Sequence, residues 1–205
     1  QQRLRYRNAL SDLAHSLKTP LAVMQTQKEL SALTHEQLNI INVIIEHQLR
    51  KAQSAGQSSW HLGTAAAPAA QKLINSLSKI YQEKSLIFTV NIPSNINFKG
   101  DEADLLEILG NLLDNACKAA HEKIQLEIKL SSNNLTMVIE DDGRGIAPAL
   151  RDDILQRGTR ADTYQHGHGI GLAIVRDLVK SYQGTMLIAS SEQLKGAKFT
   201  LNFPL

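Results

Sequence analysis

Apolar residues at Leu10, Leu13, Leu17, Leu21 and Met24 recur at spacings of three and four, the period of a helix with one apolar stripe. The stripe predicts a first helix over residues 1–31. Thr34 and Gln37 then have capping-box spacing and open a second helix, with Leu38, Ile41, Ile45 and Ala52 along its stripe and Ile40 and Ile44 widening it. Two helices joined by so short a turn pack antiparallel, and a lone hairpin cannot bury this much apolar surface. Two copies can, as a four-helix bundle, so a homodimer is expected.

The pattern divides the chain into a helical hairpin over residues 1–56, a linker over 57–68 where periodicity is lost, and a second domain over 69–205. In that domain Leu73, Ile74, Leu77 and Ile80 mark the inner face of a helix over about 69–83. Leu86 to Ile92 reads as a strand and Ile96 to Phe98 as a short one. Gly100-Asp101 opens a long helix to Ala120, with Leu105, Ile108, Leu109, Leu112 and Leu113 on its core side. Ile124, Leu126, Ile128 and Leu130 alternate with polar residues, the mark of a strand with one wet face. Asn133-Asn134 turns the chain into a partner strand, Leu135 to Glu140. Residues 141 to about 168 show no period and read as one long glycine-rich loop, followed by a helix to Tyr182 and strands at 185–189 and 197–203. The fold class is therefore α+β: a helical hairpin forming a dimeric four-helix bundle, then an α/β sandwich with a mixed sheet.

Composition narrows the function. The net charge of +2 and the lack of a basic block with interleaved aromatics argue against nucleic acid as a partner. The single cysteine, Cys117, permits no internal disulfide and no cysteine-built zinc site. No stretch approaches the roughly 20 apolar residues that span a bilayer. Gln1 already stands inside the helical pattern, so a longer chain is expected, with its first helix continuing upstream.

Four short motifs carry the chemistry. In the first helix His15 falls at position f when Leu10 and Leu17 are a and Leu13 is d, which turns the imidazole to solvent. Thr19 is one turn further along the same face, and Pro20 removes a backbone N–H and invites a bend. In the long helix Asn111 and Asn115 share a face, so two neutral oxygen ligands could meet a hard cation that bridges phosphates; Lys118 adds a point charge. Where the strand ends, Asp141 precedes Gly143 and Gly145. Its carboxylate can accept from an exocyclic amine while the glycines admit a flat ring. Finally Gly167, Gly169 and Gly171, with Leu172, lead into a helix N-terminus, an anion cradle. Each motif alone has a bland reading: a solvated histidine, a polar helix face, a turn, a loop.

Together, and in this order, they resemble the H, N, G1 and G2 boxes of sensor histidine kinases, over essentially the whole chain. The resemblance implies a dimerisation and phosphoacceptor hairpin, then a GHKL-type (Bergerat) ATP-binding domain of the kind shared with DNA gyrase. It implies that His15 attacks the γ-phosphate of ATP, that Asn115 and Asn111 hold Mg²⁺, and that Asp141 reads the adenine amino group. It further implies that the last glycines hinge an ATP lid and that Lys118 and Arg157 or Arg160 contact phosphates. The partner would be the receiver domain of a response regulator. Thr19 matches the position that orients a water when the regulator is dephosphorylated. The implied setting is the cytoplasmic portion of a bacterial inner-membrane protein. Ser16 departs from the acidic residue most of the family carries after the histidine. Ile154-Leu155 stands where aromatic packing is expected. Both departures motivate an alternative: a degenerate nucleotide-binding scaffold, or a phosphatase-dominant member. His166 and His168 read as solvated.

Overall fold

The computed structural model describes residues 63–131, 133–157 and 171–205, together with Pro20, Val23, Met24, Thr34, Leu38 and Ile41, each of them helical. The chain forms two units, Gln1–Ser58 and Ser59–Leu205. His15, Thr19, Arg160, Gly167 and Gly169 lie outside the described residues, as does most of the expected helical hairpin.

The second unit begins with β1 (Thr64–Ala65), α1 (Ala66–Ile80) and a single 3₁₀ turn (Gln82–Lys84). There follow β2 (Ile87–Asn91), β3 (Asn97–Phe98), α2 (Glu102–Ala119), β4 (Lys123–Leu130), β5 (Asn134–Asp141), α3 (Pro148–Arg157), α4 (Gly171–Ser181), β6 (Thr185–Ser190) and β7 (Ala197–Pro204). Five strands form one mixed sheet in the order β2-β4-β5-β7-β6, in which only β2 and β4 run parallel. β1 and β3 pair separately, Thr64 opposite Phe98.

Period-two patterning decides which face of the sheet meets the helices. Ile128 lies opposite Met137, Leu126 opposite Ile139, and Ile139 opposite Phe199; all five are buried. The other face is polar, with Thr136 Oγ1 donating to Asn202 Oδ1 at 2.9 Å and Lys198 paired with Glu140 at 2.7 Å. α2 supplies the largest share of the core: Leu105, Ile108, Leu109, Leu112, Leu113, Ala116 and Cys117 are all buried, a stripe repeated every three to four residues. Gly100 precedes it because a Cβ there would strike the rings of Phe98 and Tyr182. Those rings and Phe203 form an edge-to-face cluster.

Three expectations need correction. β1 and the first turn of α1 occupy residues 64–68, assigned above to the linker, because Thr64 and Ala65 find hydrogen-bond partners in β3 and Ala66 and Ala70 are fully buried. Ile80 is not inward: it is 69% exposed, and Tyr81, four residues after Leu77, takes the inner position instead. The stretch after Asp141 is not one loop, since α3 lies within it and buries Ile154 against the core. Among its described side chains only Ile154 is buried, so no inward stripe marks it.

The C-terminal end of α2 is held by a side chain from elsewhere. Lys84 Nζ donates to the carbonyls of Cys117 at 2.9 Å, Lys118 at 2.8 Å and Ala120 at 3.3 Å. A cation on the orphan carbonyls at a helix terminus satisfies both hydrogen bonding and dipole. Lys84→Met is expected to cost about 1 kcal/mol of stability, read as a drop of a few degrees in thermal melting.

Candidate nucleotide-binding site

Asp141, the last residue of β5, is only 2% exposed. It falls on the helix-facing side because its register partner is Ile124, itself buried. Its Oδ1 accepts from the backbone N–H of Gly143 at 2.9 Å and of Ala197 at 3.1 Å. Both bonds end on one oxygen, Oδ1, and neither uses Oδ2. Burial raises the pKa of this carboxyl, against which the Ala197 and Gly143 N–H groups pull downward.

The turn that follows is built for close approach. A Cβ on Gly143 would collide with the carbonyl of Ala119 at the end of α2, and one on Gly196 would collide with Asp141 itself. Gly145 has φ of +71°, the left-handed region that glycine enters freely. Gly143→Ala is therefore expected to destabilise the domain by about 2 kcal/mol through overpacking against backbone, measured by chemical denaturation. Asp142, which the motif reading passed over, holds the neighbouring corner: its carboxylate accepts from the N–H of His121 at 2.8 Å and of Glu122 at 3.0 Å. Those bonds place β4 beside the strand end.

α2 runs beneath this corner and reaches Gly171. Asn111 and Asn115 lie one turn apart on it, both half-buried. Asn111 Nδ2 donates to the Glu107 carbonyl at 2.8 Å, which turns its Oδ1 the other way, toward Gly171, where a Cβ would stand 2.5 Å from that oxygen. The structure thus brings Gly143 against one end of α2 and Gly171 against its middle, with Asn115 between. Leu172 packs on the core at the start of α4. Lys118, exposed on the same helix, pairs with Asp114 at 2.6 Å, and Asp114 also accepts from Tyr81 Oη at 2.7 Å. Arg157 ends α3. Among the described residues no group of three or more His, Cys, Asp or Glu side chains could hold a metal. Two amide oxygens are a fitting set for Mg²⁺ all the same, since that ion usually takes few protein ligands and completes its shell with phosphates and water.

Other ionisable groups have structural roles. Burial pushes the Cys117 thiol up to about 12, helped by the nearby Asp114 charge, so it stays protonated and unreactive. Glu140 is nearly buried on the outer face, where burial alone would raise its pKa. Bonds from Lys198 and from Ser191 at 2.5 Å outweigh this and hold it below its usual 4.5. A carboxyl depressed by folding stabilises the native state above its unfolded pKa and loses that contribution as pH falls through the folded value. Glu140→Gln is expected to flatten the acid limb of the stability curve below the ordinary carboxylate range while lowering stability at neutral pH, as followed by thermal melts across pH.

Comparison with known proteins gives the family of the domain. Residues 100–205 match the family of histidine kinase-, DNA gyrase B- and HSP90-like ATPases, and the chain belongs to it. That membership makes ATP the implied ligand of the domain. Within the family the chain is PhoQ-like: it is 37% identical over 213 residues to the sensor protein PhoQ of Escherichia coli O157:H7, and 36% over 217 residues to the virulence sensor histidine kinase PhoQ of Salmonella typhimurium. Each alignment covers 97% of this chain and 43% of the relative, so the chain spans less than half the length of those proteins. Among solved structures, the mycobacterial sensor histidine kinase MprB superposes with a TM-score of 0.62 at 22% identity, over 69% of this chain and 96% of that one. Full-length ShkA in complex with AMPPNP superposes with 0.67 at 21% identity, over 97% of this chain and 46% of that one. Both carry the fold alone. No helix among the described residues is long and apolar enough to cross a membrane.

Proposed function

We propose that the chain is the catalytic core of a sensor histidine kinase that autophosphorylates His15 from Mg-ATP and passes the phosphoryl group to an aspartate of a PhoP-like response regulator. The observation that carries the reading is the buried Asp141, with one carboxylate oxygen anchored by two backbone N–H groups and the other left for an adenine amine. Asn115 and Asn111 would hold Mg²⁺, which would neutralise phosphate charge when bound. Lys118, Arg157 and Arg160 would contact phosphates. Gly167 and Gly169, with Gly171 and Leu172, would form the hinge of a lid over them. Phosphoryl transfer asks the protein mainly for positioning and charge neutralisation, which this set supplies. The unprotonated ring nitrogen of His15 would form a bond to the γ-phosphorus as the bond to the ADP oxygen breaks, and the proton on the other ring nitrogen would pass to solvent. In the reverse sense of signalling, Thr19 would orient a water that removes phosphate from the regulator.

The first unit would act as the dimerising hairpin of a four-helix bundle. Supporting this, Val23, Met24 and Ile41 expose 59%, 49% and 41% of their surface in a single chain, large apolar groups that a second copy would cover. The protein would lie on the cytoplasmic side, with the membrane reached only through segments upstream. Ser16 favours a second reading, a scaffold or phosphatase-dominant member, because no acidic residue follows His15 to take its ring proton. Phosphotransfer separates the two. Labelled kinase freed of nucleotide and mixed with a receiver domain should lose its label to the regulator within minutes; label that never forms, while the regulator is still dephosphorylated, would favour the second reading.

A further inference from the structure

The last turns of α2 carry a second polar set beside the asparagines. At about 100° per residue, Lys118 falls about 20° from Asn111 around the helix axis, and Asp114 about 60° from Asn111 on the side away from Asn115. Lys118 therefore belongs to the asparagine face and Asp114 borders it. The Asp114 carboxylate is divided: Oδ1 accepts from Tyr81 Oη at 2.7 Å and Oδ2 meets Lys118 Nζ at 2.6 Å. An ion pair this exposed, with side chains 38% and 36% accessible, is ordinarily worth little and poorly fixed. Here the third member changes that. The Tyr81 hydroxyl uses one oxygen and fixes the carboxylate plane, so the other points one way. Lys84, three residues after Tyr81, clasps the carbonyls of Cys117, Lys118 and Ala120 and holds the backbone from which Lys118 projects. One segment, the end of α1 and its 3₁₀ turn, thus controls both the root and the tip of that lysine.

We propose that Tyr81 is a positioning residue for the phosphate-binding lysine: through Asp114 it holds Lys118 beside the Asn111–Asn115 face, where the nucleotide's phosphates would arrive. The inference rests on the proposed role of Lys118. It separates Tyr81 from the adenine end of the site, which Asp141 serves. Loss of the hydroxyl frees Asp114 to turn away and draw Lys118 with it.

The test compares Mg-ATP with adenosine, which lacks phosphates, by titration calorimetry on the full chain. Tyr81→Phe is expected to weaken Mg-ATP binding about three- to tenfold and to leave adenosine unchanged, as removal of one hydrogen bond that acts through a charge should. Lys118→Met is expected to weaken Mg-ATP alone, and adding Tyr81→Phe to it should cost nothing further, because the two act on one interaction. Equal weakening of both ligands by Tyr81→Phe, no weakening of either, or a full additive loss in the double variant would overturn the proposal. Unchanged Mg-ATP binding in Lys118→Met would instead remove the phosphate role of Lys118, and the proposal with it, while leaving the adenosine site intact.

Discussion

Replacing Asp141 by Asn is expected to lower ATP affinity about a hundredfold, roughly 3 kcal/mol, with little change in folding. The asymmetry follows from how the carboxylate is used. An asparagine keeps an oxygen in the Oδ1 position and so keeps the bonds from Gly143 and Ala197 that close the turn. What it loses is the second oxygen: an NH₂ would face the exocyclic amine of adenine, donor against donor, in a place too buried for water to mend. GTP, with a carbonyl at that ring position, should then lose less than ATP. Equilibrium titration with both nucleotides checks the affinity, and a melting curve checks the fold. If ATP binds the variant as tightly as the parent, Asp141 does not read the base.

The second large effect is at the other end of the reaction. His15→Gln is expected to abolish labelling from γ-labelled ATP, a loss of at least about a thousandfold, because no other side chain in the proposed geometry can form the N–P bond. Nucleotide affinity should remain that of the parent, since the two changes fall in separate units of the chain. The pair of variants therefore splits binding from chemistry: one binds poorly, the other binds and does not react. A His15→Gln protein that labels at the parental rate would remove the histidine from the mechanism.

Local patterning made most of the second unit readable from sequence. The stripe through Leu105, Ile108, Leu109, Leu112 and Leu113 gave α2 to within two residues, and alternation from Ile124 to Leu130 gave β4 to within one. The hairpin reading ends β5 at Glu140, one residue short of its terminus at Asp141, and so places Asp141, Gly143 and Gly145 where the strand stops. What could not be read depends on residues far apart in the chain. Asp141 takes a bond from Ala197, 56 positions on, and Gly196 is small because Asp141 sits against it. Tyr81 meets Asp114 across 33 positions, a link that no periodicity announces. The i,i+4 spacing of Asp114 and Lys118 was visible, but the phosphate reading of Lys118 left its partner out. α3 was missed for the opposite reason: residues 148–157 are locally helical, yet polar enough that an apolar stripe never forms. Its place is fixed by Ile154 in the core and by Arg151, which donates to Ser190 Oγ at 2.8 Å and to the Ile146 carbonyl at 3.1 Å.

The proposed reaction moves the γ-phosphoryl group of ATP onto the chain's own histidine. Incubation with γ-labelled ATP and Mg²⁺, followed by digestion and assignment of the labelled residue, tests it most directly. The expected label is acid-labile and base-stable, requires Mg²⁺, and maps to His15. Label that survives acid or maps to any other residue, or saturating ATP binding with no label at all, would contradict the proposed reaction.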